Sequence, residues 1–498
     1  PSIANANACG GEPPAAVGRN PGSSRFDASM PAPAIVWFRQ DLRLADNPAL
    51  SAAAESGRPI ICLYILDDET PAKWRIGAAQ RWWLHQSLQA LDADLRRKGC
   101  SLTLRRGAAP RVLAELIRET GAELLCWNRC YEPFAVERDK ALKQNLGIEI
   151  KSFGAALLHE PWDVQTGSGE PYKVFTPFWR AARSMPVRAA LTAPRALKSY
   201  DPKITSDALE AWALTPRRPN WALGFETEWR PGEAGARKAL ERFVDERMTE
   251  YPGARDQLDQ RGTSELSPHL HFGEITPAQI AAAVGDGAGS DKFMSEIGWR
   301  DFSHSLLFHW PTLPESNWRA SFDAFPWAND KALLRAWQRG ETGYPVVDAG
   351  MRQLWATGWM HNRARMIVAS FLIKHLLTDW REGQAWFWDT LVDADLANNA
   401  ASWQWVAGSG ADAAPYFRIF NPVVQGERYD ADGAYVRRWV PELAKLDTKF
   451  IHKPWLASGQ DLAKAGIRLG KNYPKPIIDH GFARTRALEA FANIANKN

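Results

Sequence analysis

The chain has 498 residues, 45% hydrophobic and 24% charged, which excludes a disordered polymer and, at about 150 residues per domain, predicts two or three domains. Lys and Arg number 61 against 57 for Asp and Glu, too even a balance for a polybasic binder, so an acidic partner has to be met by a local patch. No stretch of 18 uninterrupted apolar residues occurs, Met366 to Ile373 being the nearest approach, which leaves no transmembrane-helix candidate.

Residues 1–30 are rich in Ala, Gly, Pro, Ser and Asn without periodicity and read as a disordered leader or vector-derived residues. From Ala34 the text changes. AIVWF, PIICLYIL, SLTLRR, ELLCWN and EIKSF are strand-like, and Pro48 to Ser56, Gly77 to Lys98, Pro110 to Glu119 and Phe134 to Asn145 between them are helix-like. Five strands separated by four helices predict right-handed crossovers and a doubly wound parallel sheet, a Rossmann-like α/β domain over residues 34–160. The first strand is followed by FRQDLRLADN rather than a glycine fingerprint, which argues against a nicotinamide cofactor. Residues 161–225 carry many Pro and Arg and predict an interdomain connector. From 226 to 498 apolar residues recur at helical spacing with almost no strand alternation, so the second domain is expected to be all-α.

The five cysteines, Cys9, Cys62, Cys100, Cys126 and Cys130, are an odd number in the first 130 residues, which fits reduced thiols and a cytoplasmic compartment. Cys126 and Cys130 lack a second pair and read as small buried residues rather than a metal site. Tryptophan is the unusual residue: 24 in all, twelve of them between Trp299 and Trp405.

Several short patterns carry chemistry. GSGADA around Gly408 and Gly410 matches GxGxxA formally but lies outside a first strand, so chance is the better reading. His269 and His271 in SPHLHFG are two apart, a spacing that suits a strand ligand pair, yet no third ligand is near and zinc is disfavoured. GxSxG, GxxxxGK and HExxH are absent, which removes the main support for serine hydrolase, nucleotide triphosphatase and zincin readings. TSELS, Thr263 to Ser267, sets three hydroxyls and free amides before a helix, an N-cap or an anion site. Asp393 and Asp395, two apart, point to separate groups of one ligand or are helix caps. Trp327, Trp380 and Trp403 would by spacing alone be core.

At longer range VWFRQDLRLADNPAL, TSELS, SEIGWRDF, TGYPVVDAGMRQLWATGWMHNRARMIVASFL and DADLANNAASWQWVAGSGADAAPYFRIFNP resemble the DNA photolyase and cryptochrome family from about Ala34 to beyond Pro476, most of all the cyclobutane pyrimidine dimer (CPD) photolyases and among them class III. The resemblance implies a U-shaped FAD in the helical domain. Tyr251 and Thr263, Ser264, Glu265, Leu266 and Ser267 match its phosphate-binding residues, Arg365 pairs with Asp393 beside the flavin, Asp395 belongs to the same cofactor set, and Asn399 faces flavin N5. Trp403, Trp380 and Trp327 match the electron-transfer triad. Glu296, Trp299, Asn362, Met366 and Trp405 match the pocket for a dimer swung out of the duplex, with Arg255, Arg300, Arg363 and Arg418 on the DNA phosphates. The implied reaction is repair of ultraviolet-damaged DNA: reduced FAD absorbs blue light, lends an electron to the dimer, and recovers it after the ring opens. Glu296 is expected to donate a hydrogen bond to the dimer and so to be protonated.

The first domain is expected to hold an antenna, methenyltetrahydrofolate rather than a deazaflavin, although YEPFA places Ala135 where better-known folate binders carry glutamate. No metal, membrane or obligate protein partner is implied, and the expected state is a monomer. The alternative is a cryptochrome-type photoreceptor, against which stand Asn399 and the short stretch after Pro422; Asn362 and Met366 replace the histidine pair of the 6-4 photolyases.

Overall fold

A computed structural model describes residues 31–413 and 417–495; the expectation for residues 1–30 lies outside them. Five parallel strands, β1 Ala34–Phe38, β2 Ile60–Leu66, β3 Leu102–Arg106, β4 Leu124–Asn128 and β5 Glu149–Phe153, form one sheet in the order β3-β2-β1-β4-β5. Ala34 sits opposite Ile60 on one side and Leu124 on the other. Strands buried on both faces need unbroken apolar runs rather than alternation, and AIVWF and LLCWN are buried at every position. The edge strand EIKSF is only half-buried.

The intervening helices α1 Pro48–Glu55, α2 Ala78–Arg97, α3 Ala109–Thr120 and α4 Pro133–Asn145 cover both faces. Their ends follow local chemistry. The Asn47 side chain accepts from Leu50 N ahead of Pro48, and α3 stops where Gly121 turns left-handed at φ +66°.

Residues 161–225 are more than a tether. They contain helix α5, Phe175–Ala182, whose Phe175 and Phe178 belong to the core of the helical half, while Leu197, Leu209 and Trp212 fill the core against α2 and the sheet. Beyond them the described chain is helical, and the largest core gathers around the helices Pro345–Thr357, Asn362–Ser370, Trp380–Thr390 and Leu396–Ala407.

FRQDLRL and SPHLHFG, far apart in sequence, meet. Leu42 N donates to Phe272 O, and the buried Arg43 donates to the carbonyl of Gly273 at 2.7 Å. Gly273 has φ +61°, and a Cβ there would stand 2.0 Å from the Gln40 carbonyl, so the approach requires glycine. His269 and His271 are not on a strand but on the short helix Ser267–His271, because Pro268 starts a helical turn. Two apart on a helix, they diverge: His269 bonds Glu274, and His271 faces the other way.

Candidate functional site

A cavity of about 660 Å³ opens in the helical half, within the roughly 300–1,000 Å³ of cofactor pockets. One wall is the helix Ser290–His309, which presents Glu296, Trp299, Arg300 and Ser303 at i, i+3, i+4 and i+7. The Asn362–Ser370 helix adds Asn362, Arg363, Arg365 and Met366; its start is fixed by His361, whose ring accepts from Arg363 N. The Leu396–Ala407 helix adds Asn399 and Trp403. It is capped by Asp395, which accepts from Asn398 N at 2.8 Å, and closed by Gly408 at φ +92°. GSGADA is therefore a helix C-terminus.

Each carboxylate on the wall has a basic partner. Asp393 meets Arg365 at 2.8 Å and accepts from the Ser267 hydroxyl. Asp256 meets Arg363 at 2.7 Å. Glu296 accepts from Arg255 and lies 2.9 Å from Lys292. Asp395 lies 3.4 Å from His304 Nε2. Burial works against charge on the last pair, yet the mutual attraction prevails: the Asp395 carboxyl is held well below its usual range and the His304 imidazole is raised. Next to them burial pushes the Asp301 carboxyl up to about 6.

Of the residues singled out in the sequence, Tyr251, Arg255, Ser264, Ser267, Glu296, Trp299, Arg300, Asn362, Arg363, Arg365, Met366, Asp393, Asp395, Asn399, Trp403 and Trp405 line this one cavity. Thr263, Glu265 and Leu266 do not. Thr263 gives its carbonyl to Arg247, Glu265 pairs with Arg242 and Arg247, and Leu266 is core. Arg300 departs from the expected phosphate contact: its guanidinium donates to the carbonyls of Ala156 and Leu270, which makes it a strut inside the wall. Glu296 takes both its cationic contacts, Arg255 and Lys292, on one oxygen, Oε1. Arg418 lies beyond the cavity, beside a small void that it shares with Trp405.

The tryptophans are graded in depth. Trp403 forms the wall, with its ring over Gly383, where any Cβ would collide with the indole. Gly383 is one turn along from the fully buried Trp380, whose Nε1 donates to Asn317. Trp327 is half-buried, two residues from Asn329, which accepts from Asp379 N at the start of the Trp380 helix.

His271, His304, Asp256 and Lys292 at or beside the cavity were not assigned a role in it from sequence. Only Lys292 carried a local signal, four residues before Glu296 on one helix. Among the described residues no group of three or more His, Cys, Asp or Glu is placed to hold a metal ion.

The site fits a large anionic, partly aromatic cofactor such as FAD. It pairs hydroxyls and arginines with an apolar floor of Leu306, Phe387 and Leu391. Two buried atoms of wall residues, His271 Nδ1 and Arg363 Nε, lack a hydrogen-bond partner among the described residues; such groups are rare unless a ligand completes them.

Comparison with known proteins agrees. Residues 34–196 match the family model described as DNA photolyase and residues 293–493 that described as the FAD binding domain of DNA photolyase. The deoxyribodipyrimidine photo-lyase of Agrobacterium fabrum is 54% identical over 475 residues, 93% of this chain and 98% of that one. Cryptochrome-1 of Arabidopsis thaliana is 40% identical over 480 residues, 92% of this chain and 70% of its own. The crystal structure of a bacterial class III photolyase from Agrobacterium tumefaciens superposes with a TM-score of 0.91 at 53% identity, over 95% of this chain and all of that one.

Proposed function

The chain belongs to the DNA photolyase family, and from that premise we propose which of its residues hold FAD, receive the lesion and conduct charge. It is a light-dependent DNA-repair enzyme of the deoxyribodipyrimidine photo-lyase type; the higher identity to that relative than to the cryptochrome favours repair over signalling. The observation that carries the reading is that one cavity is lined by residues of both sets, Arg365, Asp393 and Asn399 with Glu296, Trp299 and Met366. Bound FAD supplies the blue-light absorption and the electron that opens the cyclobutane ring.

Arg365, neutralised by Asp393, and the hydroxyls of Ser264 and Ser267 hold the cofactor, with Tyr251 at the phosphates and the Asn399 amide, whose Nδ2 donates to Gln384 O at 3.1 Å, beside the flavin ring. Trp299 and Trp405 offer apolar faces to the extruded dimer. Trp299 is backed by Phe175, stacked at 3.7 Å, and Trp405 is fixed by its Nε1 donating to Asp412 O at 3.1 Å. Rings whose orientation is set in advance lose little entropy on binding. Glu296, Asn362 and Met366 face the polar edges of the dimer, and Arg255, Arg363 and Arg418 meet the phosphates. Trp327, Trp380 and Trp403 bring an electron from the surface to the cavity. The N-terminal domain holds the antenna, a methenyltetrahydrofolate in preference to a deazaflavin.

Ultraviolet-damaged oligothymidine incubated with the purified protein tests this. Thymine absorbance is expected to recover under blue light and not in darkness; bound flavin without recovery would instead make the protein a photoreceptor. Trp327→Phe is expected to slow photoreduction while repair by chemically pre-reduced protein continues; loss of both would overturn the tryptophan assignment.

A further inference from the structure

The Asn362–Ser370 helix, which lines the cavity, runs directly into a π-helical turn, Phe371–His375. Such turns recur at functional sites. This one sets two bases side by side in the core, Lys374 at 3% exposure and His375 fully buried. A buried ammonium without a carboxylate is costly and calls for a reason.

The amine reaches toward the lesion side. Its Nζ donates to the Arg418 carbonyl and lies 4.5 Å from the centre of the Phe417 ring. It borders a void of about 20 Å³ with Ser370, Trp405, Val406, Gly408, Arg418 and Phe420, room for one water. Trp405 is also a wall of the main cavity. His375 turns the other way, 2.8 Å from His480 Nδ1, and its carbonyl accepts from Arg486 at 2.6 Å, so the turn itself is anchored to the C-terminal helix His480–Ala495.

We propose that Lys374 is a positioning residue of the lesion site: its amine pins the Arg418 segment beside Trp405, so that affinity for the dimer, and not retention of flavin, depends on it. This rests on reading the cavity as the lesion pocket. Burial, with Arg418 adding to it, pushes the Lys374 amine down to about 7. Below that pH the ammonium makes a charge-assisted bond to the carbonyl and a cation–π contact with Phe417; above it a neutral N–H is left. Its charged neighbour is Arg418. Of the other basic groups nearby, His375 is pushed down to about 3, and burial lowers His480 and Arg486 as well.

The test measures dissociation constants of the flavin-loaded protein, from pH 6 to 8.5, for an oligonucleotide with one thymine dimer and for its undamaged counterpart, using wild type, Lys374→Met and Lys374→Arg. Wild type is expected to bind the dimer more weakly as pH rises through about 7. Lys374→Met is expected to bind it about tenfold more weakly with no inflection, at unchanged flavin content and with a smaller loss on undamaged DNA, which keeps only the phosphate contact of Arg418. Lys374→Arg keeps donor and charge and is expected to restore binding without the inflection. Wild-type dimer affinity in Lys374→Met, an equal loss on both DNAs, or a parallel loss of flavin would overturn the proposal alone. Failure of the wild type to prefer the dimer at any pH would overturn the lesion-pocket reading and this proposal with it.

Discussion

At the carboxyl edge of the sheet, Arg39 meets Asp139 at 2.7 Å; in the helical half, Arg365 meets Asp393 at 2.8 Å. Their surroundings differ. Arg39 also donates to the Asn128 carbonyl and lies over the rings of Trp37 and Trp127 at 4.7 and 5.6 Å, while Asp139 takes a second bond from Arg138. These groups close the space between β1 and β4, the switch point where a doubly wound sheet ordinarily binds its ligand. Arg365 instead leaves 24% of its side chain open to the cavity while Asp393 keeps 2%. The same ion pair is thus a plug in one domain and a wall in the other. What separates them is access: the Arg39 side chain is 7% exposed, whereas Arg365 faces an open cavity.

The largest effect expected from that contrast is on cofactor retention. Asp393→Ala leaves the Arg365 guanidinium without its partner, a change that costs about 3–5 kcal/mol when buried, and FAD retention is expected to fall at least about 100-fold, read as flavin absorbance per protein after gel filtration. Full retention would make the pair another plug. Arg39→Met is expected to cost about 3 kcal/mol of stability in chemical denaturation with flavin content untouched; flavin loss at 25 °C would erase the distinction. A smaller effect belongs to Glu296→Gln, which keeps the shape of the side chain but removes the charge shared by Arg255 and Lys292. Dimer repair per absorbed photon is expected to fall about tenfold, with flavin content unchanged and DNA affinity nearly so. An equal fall in DNA affinity would turn Glu296 into a mere strut.

The plug and the wall were not equally legible. Strands β1, β2 and β4 could be read because buried parallel strands must be apolar throughout, and the edge strands β3 and β5 from shorter apolar runs; helix ends could be read to within a residue or two because Asn47, Pro48 and Gly121 act locally. The partners of long cationic side chains could not, apart from the Asp393 partner of Arg365, which the family resemblance supplied. Arg300 lies next to Trp299 in a motif, yet its contact is Ala156, 144 residues away. His271 is visible only as half of a two-apart pair, whereas Asp395, 3.8 Å from it, and His304, 3.4 Å from Asp395, come from elsewhere in the chain. The connector was read from its prolines as linker, although Phe175 and Phe178, three apart, already spelled a buried helix face. Lys374, alone in FLIKH, is a cation in a core-like run, a local oddity that composition could have flagged.

The finest test of the contrast uses pH. His304 is raised in the fold by Asp395, against an unfolded value of about 6.5. Its contribution to stability is therefore complete below about 6.5 and is lost as pH rises through the raised value. The melting-temperature gap between wild type and His304→Gln is expected to narrow from pH 6.5 upward, while groups that titrate alike in both proteins cancel in the gap. The gap for Arg39→Met should stay flat over the same range, because a guanidinium does not titrate there. A His304→Gln gap that widens with pH would mean that the imidazole is neutral in the folded protein. Asp395 would then be an uncompensated carboxylate on the cavity wall, and the balanced ion pairs that set this wall apart from the plug would be one short.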